Sequence, residues 1–162
     1  METIKLNPEY YAIDPSKGRK YESIAYMLAL VYKALQTRVE CYLRPYDLST
    51  AHFNLLLLAA YLNDGKGISQ VEISKHLIVS ASNITKLVEK SVHMSWLTRK
   101  TNPRNRRENI ICITKKGQML IDKIWPEYDR LVRGLTEKIP VKDRFPIERI
   151  LRNWFIQLQE GK

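Results

Sequence analysis

Arg99, Lys100, Arg104, Arg106 and Arg107 crowd into one short stretch, RKTNPRNRR, with no carboxylate before Glu108. Guanidinium groups are planar, permanently charged forks of donors that match phosphate oxygens, and they also enter narrow A·T-rich minor grooves. A second row of polar side chains lies just upstream. Stepping by 100° per residue from Ser80, the residues Ser82, Asn83, Lys86, Glu89, Lys90 and His93 separate from Ile84, Leu87, Val88 and Val92. Hydroxyl, amide and ammonium groups on one helical face are the chemistry that reads base edges and holds phosphates. Taken alone, the basic stretch reads equally as solvated surface, and the polar row as an ordinary exposed helix face.

Other reactive residue types form no site. His52, His76 and His93 fall on different expected elements and lack the i, i+4 spacing of a zinc-binding helix. Cys41 and Cys112 are far apart and in no Cys-x-x-Cys pair, which gives neither a disulfide framework nor a thiolate metal site. No glycine-rich phosphate loop or nucleophile elbow is present, and the carboxylates are scattered over helix surfaces. The reading is therefore of a non-enzyme with no cofactor and no metal.

The elements that must carry these residues follow from periodicity. The chain has 162 residues, 44% of them hydrophobic, enough to bury one core. Its formal net charge of +10 favours polyanionic partners. The longest apolar run, LLLLAAYL, is too short to span a bilayer, and the N-terminus METIKLNPEYY lacks the apolar core of a secretory signal, so a cytoplasmic protein without membrane contact is expected. Residues 1–20 read as an arm. Ile24, Leu28, Val31, Leu35, Val39 and Tyr42 recur every three or four positions, marking an amphipathic helix over 21–43 whose wide stripe suits two packing partners.

Pro45 ends that helix, and Ser49 or Thr50 can cap a second one, apolar nearly all round, through Leu62. Asn63 to Gly67 form a turn. Ser69 and Glu72 have capping-box spacing for a short helix to about Leu77, and Ser80 can cap the next, Ala81 to about His93. Trp96 to Lys100 and Asn109 to Ile113 read as strands, with the basic stretch as the loop between them. Thr114 caps a long helix in which Pro126 is expected to produce a kink near 122–125, and Pro146 suits the first turn of a terminal helix carrying Ile147, Ile150, Leu151, Trp154 and Leu158.

Helix, short helix, turn, helix and two-stranded ribbon is the order of a winged helix-turn-helix, in which the second helix of the pair enters the major groove. The segments ISKHLIVSASNITKLV, WLTRK, NPRNRR and ITKKG resemble, in that order, the helix pair, first wing strand, wing tip and second strand with following helix of the MarR family of transcriptional regulators. The motif likeness covers roughly 48–120.

That resemblance implies a mainly α fold with a small β-wing: a winged helix-turn-helix region at 48–114, with helical dimerisation segments at 21–44 and 115–160. It implies a homodimer that places two recognition helices over successive major grooves of a pseudo-palindromic double-stranded DNA operator. Many such proteins are repressors released by a small-molecule effector. Carried onto this sequence, the recognition-helix contacts are Ser80, Ser82, Asn83, Thr85, Lys86 and Lys90, and the wing contacts are Arg99, Lys100, Arg104, Asn105, Arg106 and Arg107. Some relatives sense oxidants through an N-terminal cysteine, a role open to Cys41, although a buried inert thiol is the favoured reading. Two positions depart from the pattern. Asn105 stands where the family usually has an aspartate that braces the wing, and Ser95 stands where a glycine commonly ends the recognition helix. They keep a second reading in play, a winged-helix protein-interaction module that has lost specific DNA binding.

Overall fold

The computed structural model describes the backbone of residues 20–62, 66–102 and 105–160, and the side chains of these except 20, 21, 81 and 105–108. The expected arm at 1–20 and the wing-tip Arg104 lie outside the described residues. In chain order the elements are α1 (Lys20–Leu43), a 3-10 turn (Arg44–Tyr46), α2 (Thr50–Tyr61), β1 (Ile68–Ser69), α3 (Gln70–His76), α4 (Ala81–His93), β2 (Leu97–Asn102), β3 (Asn105–Ile113), α5 (Lys115–Thr136) and α6 (Val141–Glu160). The fold is mainly helical, with one small antiparallel sheet of order β1-β3-β2. No helix among the described residues is long and apolar enough to cross a membrane.

The chain divides into two compact units, one ending at Ile124 and the other beginning at Trp125. The core of the first gathers around α2, whose Phe53, Leu55, Leu56 and Ala59 are buried, as an all-round apolar helix requires. Leu43, Ile73, Ile84, Val88, Leu97, Ile111, Ile121 and Ile124 close around it from the other elements. Burying each such side chain stabilises the unit by about 1.5–3 kcal/mol. The Tyr42 hydroxyl donates to the Ile124 carbonyl at 2.8 Å, tying the end of α1 to α5. Among the described side chains of α1 only Val39 and Leu43 are buried, while Ile24, Met27, Leu28, Val31, Tyr32 and Leu35 are exposed. In the second unit α6 buries none of its residues, and Phe145, Ile150, Leu151, Phe155, Ile156 and Leu158 face outward.

Local capping follows the sequence closely. Ser49 Oγ accepts from the His52 amide, and Ser69 Oγ from the Glu72 amide at 3.1 Å. Thr114 Oγ1 accepts from the Gly117 amide at 3.0 Å at the start of α5. Ser80 occupies the N-cap of α4 but makes no side-chain cap bond; its hydroxyl instead lies 3.2 Å from that of Ser82.

Three expectations need correction. The stretch between the expected strands is largely strand itself: β2 continues to Asn102, β3 begins at Asn105, and their pairing has a register irregularity between Thr101 and Asn102. A third strand, β1, pairs with β3, with Ile68 opposite Ile111. Gly67 permits this approach, because it lies at φ +101° and a Cβ there would stand 2.4 Å from Ile110 Cγ2. Pro146 does not open the last helix but sits inside α6, which starts at Val141; α5 runs from Lys115 to Thr136 with Pro126 inside it. The Arg144 guanidinium donates to the Ile139 and Glu137 carbonyls, stabilising the turn before α6.

Candidate nucleic-acid interface

Helix α4 has two chemically distinct faces. Ile84, Val88 and Ser91 are buried, whereas Ser82, Asn83, Thr85, Lys86, Glu89 and Lys90 are exposed. Ser80 sits at the mouth of the helix in an extended conformation, its carbonyl accepting from the Asn83 and Ile84 amides. No acidic residue occupies the first turn, so the positive end of the helix dipole is left for an outside anion. The expected recognition-helix residues Ser82, Asn83, Thr85, Lys86 and Lys90 therefore share one accessible face with Ser80 at its N-terminal end.

The end of α4 is fixed by a turn that the sequence marked only as a departure. Ser95 adopts a left-handed conformation, φ +59°, the role a glycine would ordinarily fill. Its amide donates to the Val92 carbonyl, and the Trp96 amide donates to the Ser91 carbonyl, both at 2.9 Å. This pair of bonds is a Schellman motif, so the shape of the helix end survives the replacement. The Thr114 hydroxyl donates to the Ser95 and Trp96 carbonyls, and Lys116 Nζ donates to the Met94 carbonyl at 2.9 Å. Gly117 lies against the same turn, where a Cβ would come within 2.2 Å of the Trp96 carbonyl oxygen. The residues of ITKKG thus clamp the last turn of α4 to the root of the β-ribbon.

From that root the ribbon runs outward. Leu97 pairs with Ile113 and is buried, Arg99 pairs with Ile111, and Lys100 pairs with Ile110. Ile111 and Cys112 are buried while Arg99 and Lys100 are exposed, so the strands are anchored at one end and their cations stand clear. Arg99 and Lys100, being adjacent on a strand, project to opposite faces of the ribbon. Asn105, Arg106 and Arg107 lie on the backbone of β3, with their side chains outside the described residues.

A contact unforeseen from the sequence joins this face to the turn that precedes α2. Asp47, left-handed at φ 54°, places its carboxylate 3.2 Å from Lys90 Nζ. His52 lies close by, its Nδ1 2.8 Å from Ser49 Oγ, and its pKa is lowered by burial first and by the Lys90 ammonium second, against the opposing pull of Asp47. Two clefts flank Lys90 and His52: one of about 330 Å³ bounded also by Glu40, Arg44 and Asp47, the other of about 410 Å³ bounded by Ala51, Val79, Asn83, Lys86 and Leu87. Among the described residues no group of His, Cys, Asp and Glu could hold a metal ion.

Comparison with solved structures decides the fold. AbsC, a MarR-family transcriptional regulator from Streptomyces coelicolor, superposes with a TM-score of 0.78 over 88% of this chain and 96% of its own, at 18% identity. The chain has the MarR-type winged-helix fold. A mutant MarR from E. coli in complex with operator DNA is similar with a TM-score of 0.72, over 80% of this chain and 91% of its own, at 21% identity. Bordetella bronchiseptica BpsR, described for the regulation of its DNA binding by 6-hydroxynicotinic acid, gives 0.72 over 81% of this chain and 91% of its own, at 18% identity. Among curated proteins, the HTH-type transcriptional regulator Hpr of Bacillus thuringiensis is 27% identical over 108 residues, 67% of this chain. The chain spans 57% of the length of that relative. No family model matches the sequence.

Proposed function

We propose that this protein is a member of the MarR family and a sequence-specific, double-stranded DNA-binding transcriptional regulator acting as a homodimer. The observation that carries the reading is the joining of the exposed polar face of α4, through the Ser95 turn, to a ribbon whose Arg99 and Lys100 stand free. An α-helix fits the major groove, and a cationic ribbon beside it meets the flanking backbone or the minor groove. The operator complex of the MarR-type neighbour supports the same use of this fold.

In this reading Ser80, Ser82, Asn83, Thr85, Lys86 and Lys90 face base edges and phosphates, and Arg99, Lys100, Arg104, Asn105, Arg106 and Arg107 form the wing contact. The region 48–114 binds DNA, and 21–44 with 115–160 dimerise. The outward apolar residues of α1 and of α6 support that assignment, since contiguous exposed apolar surface marks an interface. Regulation is by repression, relieved by a small molecule; control of this kind is supported by the BpsR neighbour, described for regulation of its DNA binding by 6-hydroxynicotinic acid.

The test is to select duplexes from a random pool and measure fluorescence anisotropy on the selected and a shuffled sequence across salt concentrations. Specific recognition gives a preference of about 10³-fold or more. Lys86→Ala then weakens binding and lowers the salt slope by about 0.9 for each phosphate that the variant no longer neutralises. Equal binding of both duplexes would instead favour a protein-interaction module.

A further inference from the structure

Lys90 and Lys86 lie one turn apart on the same exposed face of α4, yet they are held differently. Lys90 Nζ stands 3.2 Å from both carboxylate oxygens of Asp47, whereas Lys86 has no ion-pair partner among the described residues. The pair is not an incidental meeting of two flexible chains. Asp47 is fixed by its backbone: it closes the Arg44–Tyr46 turn, adopts φ 54° and ψ 31°, and donates its amide to the Arg44 carbonyl at 3.0 Å. Leu48, next in sequence, is buried. The carboxylate is therefore presented from a rigid turn to the last turn of a helix far away in sequence.

Both partners remain open to water, at 42% exposure for the Lys90 side chain and 66% for that of Asp47. A pair so exposed contributes little to folding. It does decide what the ammonium can do next. A free surface lysine binds the phosphates of any sequence, because that attraction needs only charge. An ammonium already held by a carboxylate must exchange it for something better placed, such as the O6 and N7 acceptors that guanine offers in the major groove.

We propose that Asp47 is a specificity-determining residue: it withholds Lys90 from non-specific phosphate contacts, so that Lys90 engages a duplex only where an acceptor set by the sequence replaces the carboxylate. This rests on the DNA-binding function proposed above, which assigned Lys90 to the interface but gave Asp47 no part.

The experiment is a double-mutant cycle of Asp47→Asn and Lys90→Met in the full chain, titrated with selected and shuffled duplexes over a salt series. Asparagine tolerates the left-handed backbone and keeps the shape of the side chain. Asp47→Ser serves as a second loss of charge, and thermal midpoints verify folding. Asp47→Asn is expected to tighten binding to shuffled DNA by up to about eightfold per protomer at about 0.1 M salt, and to steepen the slope by about 0.9, the contribution of one released counterion. Selected DNA gains less, so discrimination falls. Lys90→Met abolishes the gain when added to Asp47→Asn.

Three results overturn the proposal: no gain, an equal gain on both duplexes, or a gain that persists without Lys90. The last would make Asp47 a repelling charge acting through space. A parent protein that shows no preference between the duplexes refutes the DNA-binding reading itself, and that is visible before any variant is compared.

Discussion

Replacing Ser95 by glycine should stabilise the protein. Ser95 is exposed, and its bonds to Val92 and Thr114 are made by its backbone, so the substitution leaves every bond that holds the turn in place. What it removes is the cost of a left-handed φ of +59°. For a residue with a Cβ that cost is about 1–2 kcal/mol. Glycine returns about 0.4–1 kcal/mol of it through the greater freedom of the unfolded chain. The balance is a gain of about 0.5–1 kcal/mol, or a rise of about 1–4 °C in Tm for a chain of this size. Urea denaturation at fixed protein concentration, with m unchanged, measures it. Ser95→Val should move the opposite way by about 1 kcal/mol or more, since a β-branched residue is a severe outlier at positive φ. A Ser95→Gly variant that matches or falls below the parent would refute the left-handed turn, and with it the account of how α4 is set against the ribbon.

Thr114→Val removes both the acceptor for the Gly117 amide and the donor to the Ser95 and Trp96 carbonyls. It should cost about 1–2 kcal/mol in the same denaturation assay, and Thr114→Ser should restore most of it. His52 gives a pH dependence of known sign. Its folded pKa is lowered, so the unfolded chain takes up the proton first as pH falls below about 6.5; this contribution to stability is present above that value and is lost on acidification. His52→Gln should therefore flatten the stability profile below about pH 6.5, and an unchanged slope there would remove His52 from the explanation.

Much of this was legible because it is local. The caps at Ser49, Ser69 and Thr114 and the two faces of α4 depend on residues within a turn of one another, and the sequence displays them directly. β1 was not, since two residues, Ile68 and Ser69, carry no period, and only pairing with β3 makes them a strand. The wing strands run further than expected because polar and charged residues have weak strand preference, and the ladder rather than the side chains holds them extended. The start of α6 was misplaced because Pro146 imitates a first-turn proline and hides the polar residues from Val141 onward. The Asp47 bridge to Lys90 joins residues 43 positions apart, which no spacing rule reaches.

The central claim is that α4 and the ribbon of two protomers hold one duplex, and footprinting tests it most directly. Guanine N7 methylation protection and hydroxyl-radical cleavage would be read on a selected duplex. The account predicts two patches of major-groove protection centred about one helical turn, roughly 10 base pairs, apart, each flanked by backbone protection from the wing, and both weakened by Lys86→Ala. Tight binding that leaves every guanine N7 open to methylation, or a single unpaired patch, would contradict it.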